Sequence, residues 1–349
     1  MTVKSMKWTI CLGVALAPWL LAVPAPAADE VFSVTKIISL PATASPSGTA
    51  NQPLASFDIE FVDPIAGVFL LADRSNKSID VASTSSNLIT SQLQPGFVGV
   101  ISSTACAALV VPPSTSPVAP NWSGPNGVLA IHQYGQGDPQ GNGKGKGQAK
   151  TEVWVGDGKS RVWALNLATG SAVVPPISTA LNGPNTDPTR ADELCYDPDD
   201  GIILVANPNS SPIGFVTFIS THNYKVLGHI VMDGTGGKPK ATGGIEQCQY
   251  SPRTRKFYLN VPKATITGGA VADLVLEIDP KGEKITNTLN LTQKSSTTDG
   301  CATTTGSPPV RTAVGITGMA LGPDHQIAIA CGTSGPGSVV ITENFANVY

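Results

Sequence analysis

The chain has 349 residues, 13% of them charged, with 36 glycines, 29 prolines and a formal net charge of −3. That balance excludes the basic face that nucleic-acid binding needs. So much glycine and proline, beside abundant Thr, Ser, Asn and Val, excludes a mainly helical fold and fits many short strands joined by turns.

Lys4 and Lys7 precede an apolar stretch from Trp8 to Val23, and Ala25-Pro26-Ala27 has the small-residue form that a signal peptidase accepts. Residues 1–27 therefore read as a signal peptide, and residues 28–349 as a single domain, secreted or periplasmic. The apolar stretch contains Pro18 and is short for a bilayer span of about 20 residues. No later segment is long and apolar enough, so no membrane span is expected in the mature chain. In an oxidising compartment Cys106, Cys195, Cys248, Cys301 and Cys331 can pair. Their odd number leaves a thiol free or pairing between chains. Cys106 with Cys301 is the expected bridge, because both fall in long loops of similar character. Cys195 and Cys248 fall on neighbouring inner strands and read as buried thiols.

An apolar-rich strand, Val31–Leu40, comes next and has no partner set of its own. A repeated unit then begins. It runs Phe57–Pro64 and Gly67–Asp73, then, as a variant, Pro125–Ile131 and Glu152–Asp157 around a glycine-rich insertion carrying Lys144, Lys146 and Lys150. It returns as Ala191–Pro198 with Gly201–Asn207, as Gly244–Pro252 with Lys256–Asn260, and as Gly315–Pro323 with Gln326–Cys331. Each copy reads as a strand, a D-P or similar proline turn, and a second strand. Third strands are expected at Ser78–Ala82, Arg161–Leu167, Gly214–Ser220, Asp273–Asp279 and Ser338–Thr342. Fourth strands include Lys225–Met232 and Lys284–Leu291. Four short strands repeating at intervals of roughly 40–70 residues mark the blades of a β-propeller. The expected fold is all-β: a β-propeller of five or six four-stranded blades, closed by the N-terminal strand. Five copies are visible, and a sixth would lie between Gly96 and Ser123.

In a propeller the innermost strand of each blade starts at one rim of the central channel. The connections on that rim are long here, at Gln92–Gly124, Pro176–Arg190, Asp233–Gly244 and Thr292–Val314, and long loops on a rigid scaffold are where binding resides. Asp58, Asn126, Asp192, Glu246 and Thr317 stand at the strand starts, with Glu60 and Glu193 close by. Converging carboxylates repel unless a cation or a proton relieves them, and hard oxygen donors of this kind suit a divalent metal, Ca²⁺ above others. Ligand binding is thus expected at Asp58, Asn126, Asp192, Glu193 and Glu246, and metal ligation at Asp58, Asn126, Asp192 and Glu246. Asp63, Asp197 and Asp279 read as turn caps, as do Asp73, Asp157 and Asn207 at the ends of second strands. His132, His222, His229 and His325 show no metal spacing, no hydrolase nucleophile motif is present, and Trp154 and Trp163 read as packing between blades.

The stretch Asp192–Asn207, of the form D-E-x-x-x-D-P-x-x-G-x-x-x-V-A-N, and Pro125-Asn126-Gly127 resemble the six-bladed regucalcin/gluconolactonase type and the broader YVTN and NHL-like propellers. The gluconolactonase resemblance implies one channel metal held by Asn126 and Asp192 with Asp58 or Glu246, opening of a lactone or ester, and a channel carboxylate, with Asp192 the candidate, as general base. Asp58-Ile-Glu60 departs from that type's Glu-x-Pro. The YVTN-like resemblance implies instead a monomeric propeller that binds a small molecule or surface component without catalysis. A metal-dependent lyase is a third reading, although no His falls at the upper mouth.

Overall fold

The computed structural model describes residues 34–43, 48, 50–101, 122–133, 150–187, 189–208, 213–294, 302–305, 310–323, 326–332, 338–343 and 347–348. The signal-peptide reading, Cys106, Cys301, His325, Lys144 and Lys146 lie outside these. An N-terminal piece ends at Ile37, and one compact unit begins at Ile38.

That unit holds five four-stranded antiparallel sheets in a propeller arrangement. Blade 1 is β1 (Phe57–Asp63), β2 (Val68–Asp73), β3 (Ser78–Ser83) and β4 (Leu88–Leu93). Blade 2 is β5 (Val128–Gln133), β6 (Lys150–Asp157), β7 (Arg161–Asn166) and the short β8 (Ile177–Ser178). Blade 3 is β9 (Leu194–Asp197), β10 (Ile202–Asn207), β11 (Phe215–Ser220) and β12 (Lys225–Val231). Blade 4 is β13 (Cys248–Ser251), β14 (Lys256–Thr265), β15 (Val271–Asp279) and β16 (Lys284–Asn290). One helical turn, α1 (Leu291–Lys294), and a hairpin, β17 (Ala302–Thr305) and β18 (Val310–Ala313), lead into blade 5. Blade 5 is β19 (Ile316–Leu321), β20 (Gln326–Cys331), β21 (Ser338–Glu343) and β22 (Asn347–Val348).

The proline turns work as their sequence implies. Asp63 Oδ1 accepts from the amides of Ile65 (2.9 Å) and Ala66 (3.2 Å), and Asp197 Oδ1 from those of Asp199 (2.9 Å) and Asp200 (3.3 Å). Each turn closes through a glycine in the left-handed region, Gly67 at φ 66° and Gly201 at φ 65°, where a side chain would be strained.

A blade has two apolar faces and covers neither by itself, so burial comes from its neighbours. Leu70 and Ile79 of blade 1 share a core with Val153, Trp163 and Leu165 of blade 2. Leu129 and Trp154 join Ile203 and Ile219 of blade 3. Leu204 and Phe218 join Phe257, Leu259 and Leu276 of blade 4. Val275 and Leu289 join Ile316, Ile329 and Val340 of blade 5. Trp154 stacks on Tyr224 at 5.7 Å, and Trp163 meets Phe97 edge-on at 6.0 Å, both packing roles as expected.

One expectation is narrowed and two are corrected. The blades number five; in the stretch from Gly96 to Ser123 the described residues form isolated bridges at Gly99 and Ile101 and no blade strand. The last blade takes its fourth strand from β22, while residues 34–40 form no strand. Pairing with a neighbour a few residues away costs far less chain entropy than pairing across roughly 300 residues. Cys195 and Cys248 are a disulfide, not free thiols: their Cα atoms stand 5.8 Å apart across β9 and β13. Adjacent inner strands bring the two within bonding reach.

Candidate functional site

The site is built just before and within the inner strands. The Asn126 amide donates to Gly156 O (2.8 Å), the Asp192 amide to Ala206 O (2.9 Å) and the Glu246 amide to Asn260 O (2.9 Å). These bonds extend the second-strand pairing toward the rim and fix where each side chain departs. Gly127 and Gly156 make the same corner possible from blade 2, since a Cβ on either would collide with the Asp192 carbonyl. The Pro125-Asn126-Gly127 motif thus has a packing reason in addition to its polar side chain.

Four carboxyl groups and an amide gather here, as expected, but with two arginines that the sequence reading did not place. Arg74, directly after β2, pairs with Asp58 and donates through Nε (3.0 Å) and an Nη (2.8 Å) to Asn126 Oδ1. The Asn126 side-chain amide in turn donates to Ser123 O and Ala191 O, both at 3.0 Å. Arg190 pairs with Asp192 Oδ2 at 2.5 Å. The other oxygen, Asp192 Oδ1, is buried and accepts no hydrogen bond. Asp58 keeps 26% of its side chain exposed, and Glu193 and Glu246 are half-buried. Thr317, the fifth strand-start residue, is exposed, and its carbonyl accepts from Asn260. It takes no side-chain part.

Electrostatics show that the carboxyl groups sense one another. Burial, then the charge of Asp192, pushes Asp58 up to about 6 against the pull of Arg74 and Arg190. Burial and Asp192 likewise raise Glu246 to about 7. Glu193 is raised well above the ordinary range by burial, with Asp192, Asp58 and Glu246 adding to it. Burial lowers Arg74. It also works to lower Arg190, but Asp192, Asp58 and Glu246 outweigh it and leave that group above its usual value. Four acids against two fixed cations leave an excess of negative charge that protons partly relieve.

The sequence held a signal for both arginines. Each lies within two residues of one already singled out, Arg74 beside Asp73 and Arg190 two before Asp192, on the rim assigned to binding. Below the cluster, a cavity of about 360 Å³ runs between the inner strands of blades 1 to 4, with Glu60, Phe61, Leu129, Glu193, Tyr196 and Gln247 in its wall.

Of the oxygens that the gluconolactonase resemblance assigns to a metal, Asp58 Oδ2, Asn126 Oδ1 and Asp192 Oδ2 already accept from guanidinium groups, so a metal would have to compete with two arginines for them. Among the described residues, no group of three or more His, Cys, Asp or Glu side chains is arranged to hold a metal ion.

No protein-family profile and no curated protein sequence matches the chain. Among solved structures it is similar to hydrazine synthase of Kuenenia stuttgartiensis, at 10% identity and a TM-score of 0.49, over 84% of this chain and 65% of that one. It is also similar to the WD40 β-propeller domain of Doa1, at 10% identity and a TM-score of 0.45, over 81% of this chain and 62% of that one. The chain thus spans less than two thirds of either. These are likenesses of fold alone.

Proposed function

We propose that this chain is an exported propeller that binds a small ligand, or a group on a surface component, at its channel axis, without performing chemistry on it. The observation that carries this reading is the buried, unpartnered Asp192 Oδ1 inside a cluster with an excess of acidic groups. An uncompensated carboxylate oxygen costs the fold free energy. Such a cost is retained where a ligand repays it, and the excess of acid selects a positively charged one.

The lactone hydrolase and lyase readings each need a divalent ion on the axis, which would have to displace Arg74 and Arg190 from Asp58, Asn126 and Asp192. The gluconolactonase type also has six blades where this chain has five. Export rests on the leader-like residues 1–27.

The test is calorimetric titration of the mature chain with methylammonium, acetate and Ca²⁺ in turn. Saturable binding of methylammonium but not acetate, weakened at least about tenfold by Asp192→Asn, is the expected result. Equal response to both ions, or an Asp192→Asn variant that binds as the parent does, discards the cluster as the site. Calcium binding that Asp192→Asn abolishes, without methylammonium binding, moves the case to the hydrolase.

A further inference from the structure

The cavity under the cluster is not explained by binding a bare charge. Its polar end lies at Glu193 and Gln247, next to the residues of the cluster, and its far end at Pro198 and Pro252, in the turns of the opposite rim. Between them the wall is mainly apolar. Gln247 is already engaged, accepting from the Met319 amide at 2.7 Å. The Glu193 carboxyl group accepts no hydrogen bond among the described residues, so it and Glu60, which also lines the wall, are the carboxyl groups left to meet an occupant. On the long-loop side, by contrast, Asn126 and Asp192 are sealed and Arg74 is nearly so. The cavity offers Glu193 a second approach, from the proline-turn rim opposite to the loops.

We infer that this cavity takes an organic ammonium bearing a short apolar tail, its head against Glu193 and its tail lying along Phe61, Leu129 and Tyr196 toward the Pro198 and Pro252 rim. The inference rests on the proposed cation preference of the cluster and adds the tail and the side of entry. A volume of about 360 Å³ stands at the small end of ligand pockets, which restricts the tail to a few carbons. Carboxyl groups in the wall of a mainly apolar slot discriminate by charge, because an anion would meet Glu60 and Glu193 in the field of Asp192 and Glu246, and an uncharged alcohol would leave them unrelieved. The slot discriminates by length, at about fourfold in affinity per buried methylene.

The experiment compares n-hexylammonium, methylammonium, n-hexanol and n-hexanoate by calorimetric titration of the mature chain. Hexylammonium should bind at least about tenfold more tightly than methylammonium, with hexanol weaker and hexanoate not bound. Ala130→Phe, which fills the half-buried wall of the slot, should abolish the advantage of hexylammonium and leave methylammonium unchanged. Phe61→Ala, which removes tail contact without filling space, should reduce the same advantage and serves if Ala130→Phe does not fold. Methylammonium bound as tightly as hexylammonium overturns the tail and leaves the cluster standing. Hexanoate bound as tightly as hexylammonium, or neither variant changing the ratio, overturns the inference as well. Loss of all cation binding is a failure of the cluster reading itself.

Discussion

Asp73 and Asp80 lie buried side by side in blade 1, and among the described residues no lysine or arginine offsets them. Asp73 accepts from the Asn76 amide (3.1 Å) and side chain (2.6 Å), which bears out its reading as a turn cap. Asp80 Oδ1 accepts from Ser78 Oγ and Gln92 Nε2, both at 2.8 Å, while its Oδ2 has no partner. Burial pushes Asp73 up to about 7, against the Asn76 hydrogen bond and with the help of the Asp80 charge. Asp80 is also raised by burial. The sign follows directly. Between about pH 4 and pH 7 the native chain holds a proton that the unfolded chain has released, so stability falls as pH rises through that window. Asp58 and Glu246 at the axis add slope of the same sign. Thermal unfolding followed from pH 5 to pH 8 should show a falling midpoint, and Asp73→Asn should flatten the fall and raise the midpoint at pH 8. A variant that keeps the parent slope rules out the pair as a source. None of this coupling was legible in sequence. It depends on Asp80 standing opposite Leu71 in the β2–β3 ladder, whereas the capping role needed only the spacing from Asp73 to Asn76.

Strands were the most legible level. The expected third strands Ser78–Ala82 and Asp273–Asp279 became Ser78–Ser83 and Val271–Asp279, and the expected Lys225–Met232 became β12, Lys225–Val231. Proline turns and left-handed glycines punctuate the chain locally, so the blade pattern survives without tertiary information. The link between elements was not legible, because the Cys195–Cys248 bond depends on two blades meeting at the axis. That bond joins residues 53 apart, and in the loop-closure picture a constraint of this length destabilises the unfolded chain by about 4 kcal/mol. The double variant Cys195→Ser, Cys248→Ser should therefore lose about 4 kcal/mol of unfolding free energy in a urea titration. A loss under about 1 kcal/mol would show that blades 3 and 4 hold their register without it. Their shared core, from Leu204 and Phe218 to Phe257 and Leu276, sets the floor of what survives.

Across the whole propeller, burial is unequal. Every residue of β10 and β11 is buried, whereas β20 alternates half-buried and buried positions, and Val339 and Ile341 of β21 are 64% and 40% exposed. Four apolar clusters join blades 1 to 2, 2 to 3, 3 to 4 and 4 to 5, and among the described residues none joins blade 5 to blade 1. The sequence announced five copies of one unit but gave no means to rank their burial, since that depends on which faces meet after the ring forms. Opening free energy follows buried contacts, and local openings begin where those are fewest. Blade 5 should accordingly open without the rest. In hydrogen exchange at neutral pH, amides of β19, β20 and β21 should exchange well before those of β10 and β11, through openings that leave blades 2 to 4 protected. Val340→Ala, in the core shared with blade 4, should speed exchange in blade 5 while leaving β10 unchanged. If β10, β11 and β20 instead exchange at one common rate, the propeller opens only as a whole, and the seam beside blade 5 holds as firmly as the others.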